Sequence, residues 1–247
     1  MNAEEYSRLY ALEDRYWWFV GRRRVASRLL EATQATGPVL DFGCGAGVVL
    51  QSLQQSGHEA VGLDSSDLAL AFCQKRGLGP LVRGDGERIP LRSNTFGAAL
   101  ALDVFEHIED DARAYAEVYR VLRPGGVLVL SVPAFASLWG PHDVALHHFR
   151  RYRRAELVQR LQQAGFQIDK VSYSVFCLFP VVVLTRFIEK LRSGPPRASL
   201  PTVPPWLNRA LIALQEFEGR LIARINLPWG SSLVAVARKP SSPEGEA

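Results

Sequence analysis

The sequence predicts an α/β protein with a doubly wound, mostly parallel sheet of seven strands. Three observations point to it. Apolar runs at 39–42, 60–63, 81–83, 96–102 and 127–132 alternate with helical segments, the rhythm of βαβ units with right-handed crossovers. The fifth run, 127–132, is continuous rather than alternating in apolar character, which marks a strand buried on both faces. Acidic or glycine-rich punctuation at 41–47, 64, 85 and 103–107 falls where the runs end, and ligands of such sheets bind outside the strand C-termini.

With 247 residues and 47% hydrophobic content, the chain can bury one large core and is short for two. The 29 basic and 25 acidic residues leave a net charge of +4, without the basic stripe that nucleic acid binding needs, so no nucleic acid partner is expected. Cys44, Cys73 and Cys177 are odd in number and set in apolar surroundings. That usage predicts reduced, buried thiols in a cytoplasmic setting. The acidic, polar start at 1–5 does not resemble a secretory signal. The most apolar run, 175–185, contains Pro180 and is far short of the ~20 residues of a spanning helix.

Taken in order, residues 3–14 predict a short helix with Tyr6, Leu9, Tyr10 and Leu12 near one side. The aromatic stretch 16–20 then leads into a second helix with Val25, Leu29, Leu30 and Ala32 turned inward. Adjacent Trp17 and Trp18 cannot easily both point inward, so 1–34 reads either as packing or as a lid over a ligand. Gly43, Gly45 and Gly47 remove Cβ atoms where the chain turns from the first strand into a helix. Val48, Val49, Leu50 and Leu53 form that helix's apolar side, and its free N–H groups and positive dipole end point at the loop.

Asp64 closes the second strand, and Ser65, Ser66 or Asp67 caps a helix over 68–76. A helix over 110–122 buries Ala114, Val118, Val121 and Leu122, and 123–126 turns it back into the fifth strand. A helix at 155–164 and strands at 166–173 and 233–237 complete the core, which spans 35–173 and 231–239. It is interrupted by an insertion at 133–153 on the ligand side and an apolar helical insertion at 174–230. The tail 240–247 is expected to be disordered.

Asp41-Phe42-Gly43-Cys44-Gly45-Ala46-Gly47 resembles the first motif of the class I S-adenosylmethionine-dependent methyltransferases. Asp64, Gly84-Asp85, the stretch from Asp103 to His107, and Arg120 to Gly126 match that family's later motifs in order. The resemblance implies the Rossmann-like methyltransferase fold and S-adenosylmethionine as cofactor. It further implies Gly43, Cys44, Gly45 and Gly47 around the methionyl part, and Asp64 with Ser65 at the ribose hydroxyls. Asp85 and Gly86 then meet the adenine edge, Asp41 orders the loop or the amino group, and Asp103 is a further cofactor-binding residue. A nicotinamide dinucleotide fits less well, because the third small residue of its fingerprint falls on Val48 or Leu50. Trp17-Trp18-Phe19, Leu138-Trp139 with His142-Asp143, and His148 with Arg151-Tyr152 resemble a bacterial methyltransferase subgroup of undefined substrate. That resemblance informs fold and cofactor only; Trp17 in the lid and Trp139, Arg151 and Tyr152 in the 133–153 insertion are expected to bind substrate.

Methyl transfer to a hydroxyl or amine also needs a base. Imidazoles titrate near neutral pH, so His107, His142 and His147 are the catalytic candidates, with His148 beside them. His142, Asp143 and His147 carry no established metal-ligand spacing, and no metal is expected. The basic run 150–154 binds an anionic acceptor or forms a solvated helix start.

In 174–230, one helical stretch is apolar almost throughout and a second is amphipathic, with Leu207, Leu211, Leu214, Phe217, Leu221 and Ile225 on one face. These segments pack on the sheet, line a lipophilic tunnel, lie on the inner membrane face through 174–225, or form a homodimer interface. The expected activity is methylation of a small-molecule acceptor, apolar or lipid-linked. The rival is a non-catalytic binding module of the same fold.

Overall fold

A computed structural model describes residues 10–191 and 202–241. Tyr6, Leu9 and the tail 242–247 lie outside the described residues. The strands are β1 (Val39–Phe42), β2 (Ala60–Asp64), β3 (Leu81–Arg83), β4 (Phe96–Leu102), β5 (Leu122–Pro133), β6 (Gln167–Ser174) and β7 (Ser232–Arg238). They form one sheet in the order β3-β2-β1-β4-β5-β7-β6, in which only β7 runs antiparallel to its neighbours. The predicted fold class is the observed one. The strand order reverses between β1 and β4, and the crevice outside those two C-terminal ends is where such sheets hold ligands.

Helices cover both faces. Helices α1 (Trp17–Thr33), α2 (Val48–Gln55) and α8 (Pro205–Arg224) lie on one side, where Val25, Leu29, Leu50, Leu53 and Ile222 meet Val39, Leu100 and Val129. Helix α3 (Asp67–Lys75) follows β2. On the other side are α4 (Asp111–Val121) and α6 (Arg154–Gln163), whose Ala114, Val118, Val121, Leu157 and Leu161 meet Leu40, Leu128 and Leu130. Helix α4 starts where it does because Asp110 accepts the Arg113 N–H at 3.1 Å. Helices α5 (Pro141–Ala145) and α7 (Phe179–Leu191) lie in the insertions, as does α8.

Three expectations are corrected. The aromatic stretch does not precede a helix; α1 begins at Trp17, so the tryptophans sit in its first turn, ring edge to ring face at 5.6 Å. Strand β5 begins at Leu122 rather than Val127, because Leu122 already pairs with Phe96. Cys177 is exposed, unlike buried Cys44 and Cys73.

Helix α8 packs mainly on α1 at close range: a Cβ on Gly21 would fall 2.7 Å from that of Gln215. Its buried Glu218 accepts the Val175 backbone N–H and, at 3.2 Å, that of Cys177. Those contacts hold Val175 at φ +61, a conformation that a β-branched residue rarely adopts. Asp103 (φ +56) and Phe135 (φ +59) are held similarly just past β4 and β5. Backbone strain thus collects at one edge of the sheet, as it does around functional sites. Helix α7 leaves Val181, Leu184 and Phe187 more than half exposed, yet among the described residues no helix is long and apolar enough to cross a membrane.

Candidate active site

At the β1 and β2 ends, backbone geometry dominates. Gly43 and Cys44 donate to the Leu63 carbonyl at 2.8 and 2.9 Å, which folds the loop over β2. Asp64 secures it further: Oδ2 accepts the Gly45 N–H at 3.0 Å and Oδ1 that of Ser66 at 2.9 Å. The three glycines do different things. A Cβ on Gly43 would meet Val104 at 2.6 Å, and one on Gly47 would meet Leu78 and Cys73, so both are needed for protein packing. Gly45, at φ +54, has nothing within 4 Å of that position. It is the glycine left open to a ligand.

Asp41 lies beneath this loop, 2% exposed, and among the described residues its Oδ2 has no hydrogen-bond partner. Burial pushes its pKa up to about 7. Asp64 is also raised by burial, against the amides of Ser66, Gly45 and Ser65. Its two carboxylate oxygens have more lone pairs than these amides use, so a vicinal diol can still be received. Cys44 is corrected: its sulfur is buried 3.9 Å from that of Cys73, so only its backbone belongs to the loop. Ser65 is exposed beside Ser66, which is the residue that caps α3. Asp85 is exposed and accepts the Glu87 N–H at 3.0 Å, while Gly86 backs onto Ile108 and Phe42.

The N-terminal segment lies against the same loop. Arg76 donates to the Ala46 carbonyl at 2.9 Å and pairs with Glu13 at 2.8 Å and Asp14 at 2.9 Å. Its guanidinium also stacks over Tyr10, whose ring lies 4.7 Å from that of Phe72.

The β4 end is built from side chains. Asp103 accepts from Ser131 Oγ at 2.7 Å and pairs with Arg22 of α1. Burial works to raise its pKa, but Arg22 and Ser131 hold it below the usual range. With Trp18, these residues line a cavity of about 20 Å³. Trp18, not Trp17, lines this cavity, and the Trp17 backbone N–H is bonded to Asn208 Oδ1 at 2.9 Å. Sequence reasoning missed Arg22, Trp18 and Ser131 as site residues, because nothing in a helix's spacing says what its first turns overhang.

The histidines divide. His107, in the 3-10 turn 105–107 after β4, meets the ring of His148 edge-on at 4.6 Å, and His142 lies 6.4 Å from His148. Burial pushes both His107 and His142 down to about 4, with His148 adding to the effect on His107 and Arg186 to that on His142. Both are neutral near pH 7. His147 is corrected as a catalytic candidate: it is exposed, and His148 takes its place in the cluster. Beside them, Glu106 is 1% exposed, and among the described residues neither of its oxygens has a hydrogen-bond partner. Burial, then the Asp103 charge, raises its pKa well above the carboxylate range. An acid in an apolar stretch was the available signal for it.

Two substrate candidates are structural. Arg151 is buried and donates to Asp143 Oδ1 at 2.8 Å and to the Ala134 carbonyl at 3.1 Å. Tyr152 is fully buried, its hydroxyl 2.7 Å from Asp111, which also pairs with Arg150 and Arg160. Arg150, Arg151 and Tyr152 of the basic run thus anchor the 133–153 insertion to the core, while Arg153 and Arg154 are exposed at the start of α6. Trp139 is half-buried in that insertion. Asp143 holds the insertion together, since it also accepts the Gly140 N–H and the His148 ring, each at 2.9 Å.

An open glycine, a buried carboxylate oxygen without a donor among the described residues and a second carboxylate on the adjacent strand end fit the amino group and vicinal diol of S-adenosylmethionine. Large, buried Val48 and Leu50 oppose a dinucleotide.

The comparisons agree. The model of a family described as "Methyltransferase domain" matches residues 40–130. A protein of Mycolicibacterium smegmatis described as a probable S-adenosylmethionine-dependent methyltransferase is 31% identical over 160 residues, 64% of this chain and 62% of its own length. An uncharacterized methyltransferase of Mycobacterium sp. (strain JLS) is 32% identical over 192 residues, 76% of this chain and 75% of that protein. The crystal structure of a S-adenosylmethionine-dependent methyltransferase from Thermotoga maritima superposes with a TM-score of 0.63 at 19% identity, covering 96% of this chain and 95% of that one. With its strand order, motif geometry and relatives in agreement, the chain belongs to the class I S-adenosylmethionine-dependent methyltransferase family.

Proposed function

We propose that the protein methylates a small-molecule acceptor that is apolar or lipid-linked, received between the 133–153 insertion and helix α7. The observation that carries this reading is the exposed apolar face of α7, where Val181, Leu184 and Phe187 are 56%, 58% and 59% exposed. That helix borders the histidine cluster: Phe179 packs on Phe135 at 5.8 Å, and Arg186 lies beside Gly140 and bears on His142. An apolar patch at a site mouth suits a lipophilic acceptor or the surface of the membrane that holds it.

S-adenosylmethionine supplies a methyl group already activated on a sulfonium. The chain's part is to place the acceptor in line, exclude water and dispose of a proton. Arg22 and Trp18 of α1 cover the β4 end, and neutral His142 stands ready to take the proton.

Incubation with isotopically labelled methyl donor and separate lipid and aqueous extracts tests the acceptor class. Label is expected in the organic phase. Label confined to water-soluble products overturns the apolar assignment. Vesicle flotation of Leu184→Ser/Phe187→Ser against the unaltered chain tests the membrane contact, and equal partitioning removes it.

A further inference from the structure

Glu106, His107 and His148 each offer one ligand atom, and these atoms all lie within 4.8 Å of one another. None of the three is consumed elsewhere in a way that prevents it from binding. Glu106 is buried with neither oxygen partnered among the described residues, a costly arrangement unless something positive is brought to it. The His148 imidazole is already oriented through Nδ1 by Asp143 at 2.9 Å. A carboxylate partner behind the ring is what ligating histidines characteristically have. Asp143 is a support and not a ligand here, because Arg151 and the Gly140 N–H use its remaining capacity.

We propose that Glu106, His107 and His148 hold a divalent first-row transition metal ion. Two imidazoles with one carboxylate suit zinc, cobalt, manganese or iron(II), whereas magnesium and calcium prefer sites built of oxygen. Three protein ligands leave open positions. Resting on the function proposed above, those positions take an oxygen donor of the acceptor, a hydroxyl or a phosphate. The ion orients that oxygen and, for a hydroxyl, lowers its pKa. His147 and His142 are outside the ligand set, so the spacing read from His142-Asp143-His147 misses the site.

The test uses the untagged full-length chain, stripped with chelator and titrated with Co²⁺ and Zn²⁺ by calorimetry and visible absorption. One equivalent is expected, with d–d bands for bound cobalt. Glu106→Gln and His148→Ala should each weaken binding at least about 100-fold, the upper range for loss of even a supporting partner. His147→Ala, which alters an exposed ring, should leave it unchanged. Circular dichroism establishes that each variant is folded, and if Glu106→Gln is not, His148→Ala decides alone. No saturable binding by the unaltered chain, or undiminished binding by a folded ligand variant, overturns the proposal. Methyl transfer that persists in the stripped chain removes the role in acceptor binding while leaving the methyltransferase reading intact. Failure of the stripped chain to bind S-adenosylmethionine strikes that reading instead.

Discussion

At the β1–β2 edge the groups that face a ligand are backbone amides and carboxylates from neighbouring loops, held by short-range hydrogen bonds such as Asp64 to Gly45 and Ser66. At the β4–β6 edge they are side chains carried in from far along the chain: Arg22 on Asp103, His148 on His107, Glu218 on Val175. The first edge is a local device that a cofactor common to a whole family can use. The second is an assembly of side chains from segments distant in sequence. Strain follows the same division, since Asp103, Phe135 and Val175 all sit at the second edge with positive φ.

That division is broken most severely at Asp143. Asp143→Ala strands buried Arg151 and frees Gly140 and His148, and loss of one partner of a buried pair costs about 3–5 kcal/mol. Denaturant unfolding measures it, and calorimetry on the folded protein should find S-adenosylmethionine affinity unchanged. A parallel fall in affinity means the two edges are not separable.

Asp64→Ala should do the reverse, weakening cofactor binding by about 2 kcal/mol, roughly 30-fold, through the unpaired loop amide and the lost diol acceptor. Calorimetry reads this directly.

Asp41 sharpens the first edge through pH. Its folded pKa of about 7 lies above the ordinary 3.8, so the folded state keeps a proton that the unfolded chain has lost. The associated stability is complete below the unfolded pKa and is lost as pH rises through the folded one, at up to about 1.4 kcal/mol per pH unit. Asp41→Asn should flatten the melting temperature over that window. An unaltered pH profile contradicts the assignment.

The smallest effect belongs to Tyr152→Phe. It removes a buried hydrogen bond to Asp111, worth about 1 kcal/mol, and should leave KM for the acceptor unchanged. A raised KM restores Tyr152 to the substrate site.

The same contrast explains what could be read from the residues. The strand runs, the glycine loop and the carboxylates at 41, 64 and 85 are local patterns, and the doubly wound, mostly parallel fold class follows from them, whereas the strand order comes from the structure. Gly45 could not be told from Gly43 and Gly47, because which glycine faces open space depends on Val104, Leu78 and Cys73 from other elements. Arg151 and Tyr152 looked like a ligand-facing pair because charge and hydroxyl are visible in sequence, whereas Asp143 and Asp111, which absorb them, are identified only by packing. Trp18 was inseparable from Trp17 until α1 was known to begin there.

Arg76 joins the Ala46 carbonyl of the glycine loop to Glu13 and Asp14 of the N-terminal segment. Loop order and segment docking therefore share one free energy, and linkage makes the sharing reciprocal. Whatever S-adenosylmethionine gains from a fixed loop, the segment gains in protection, so cofactor should slow proteolysis between Tyr10 and Trp17. An Arg76→Gln chain should lose that protection and hold its cofactor less tightly.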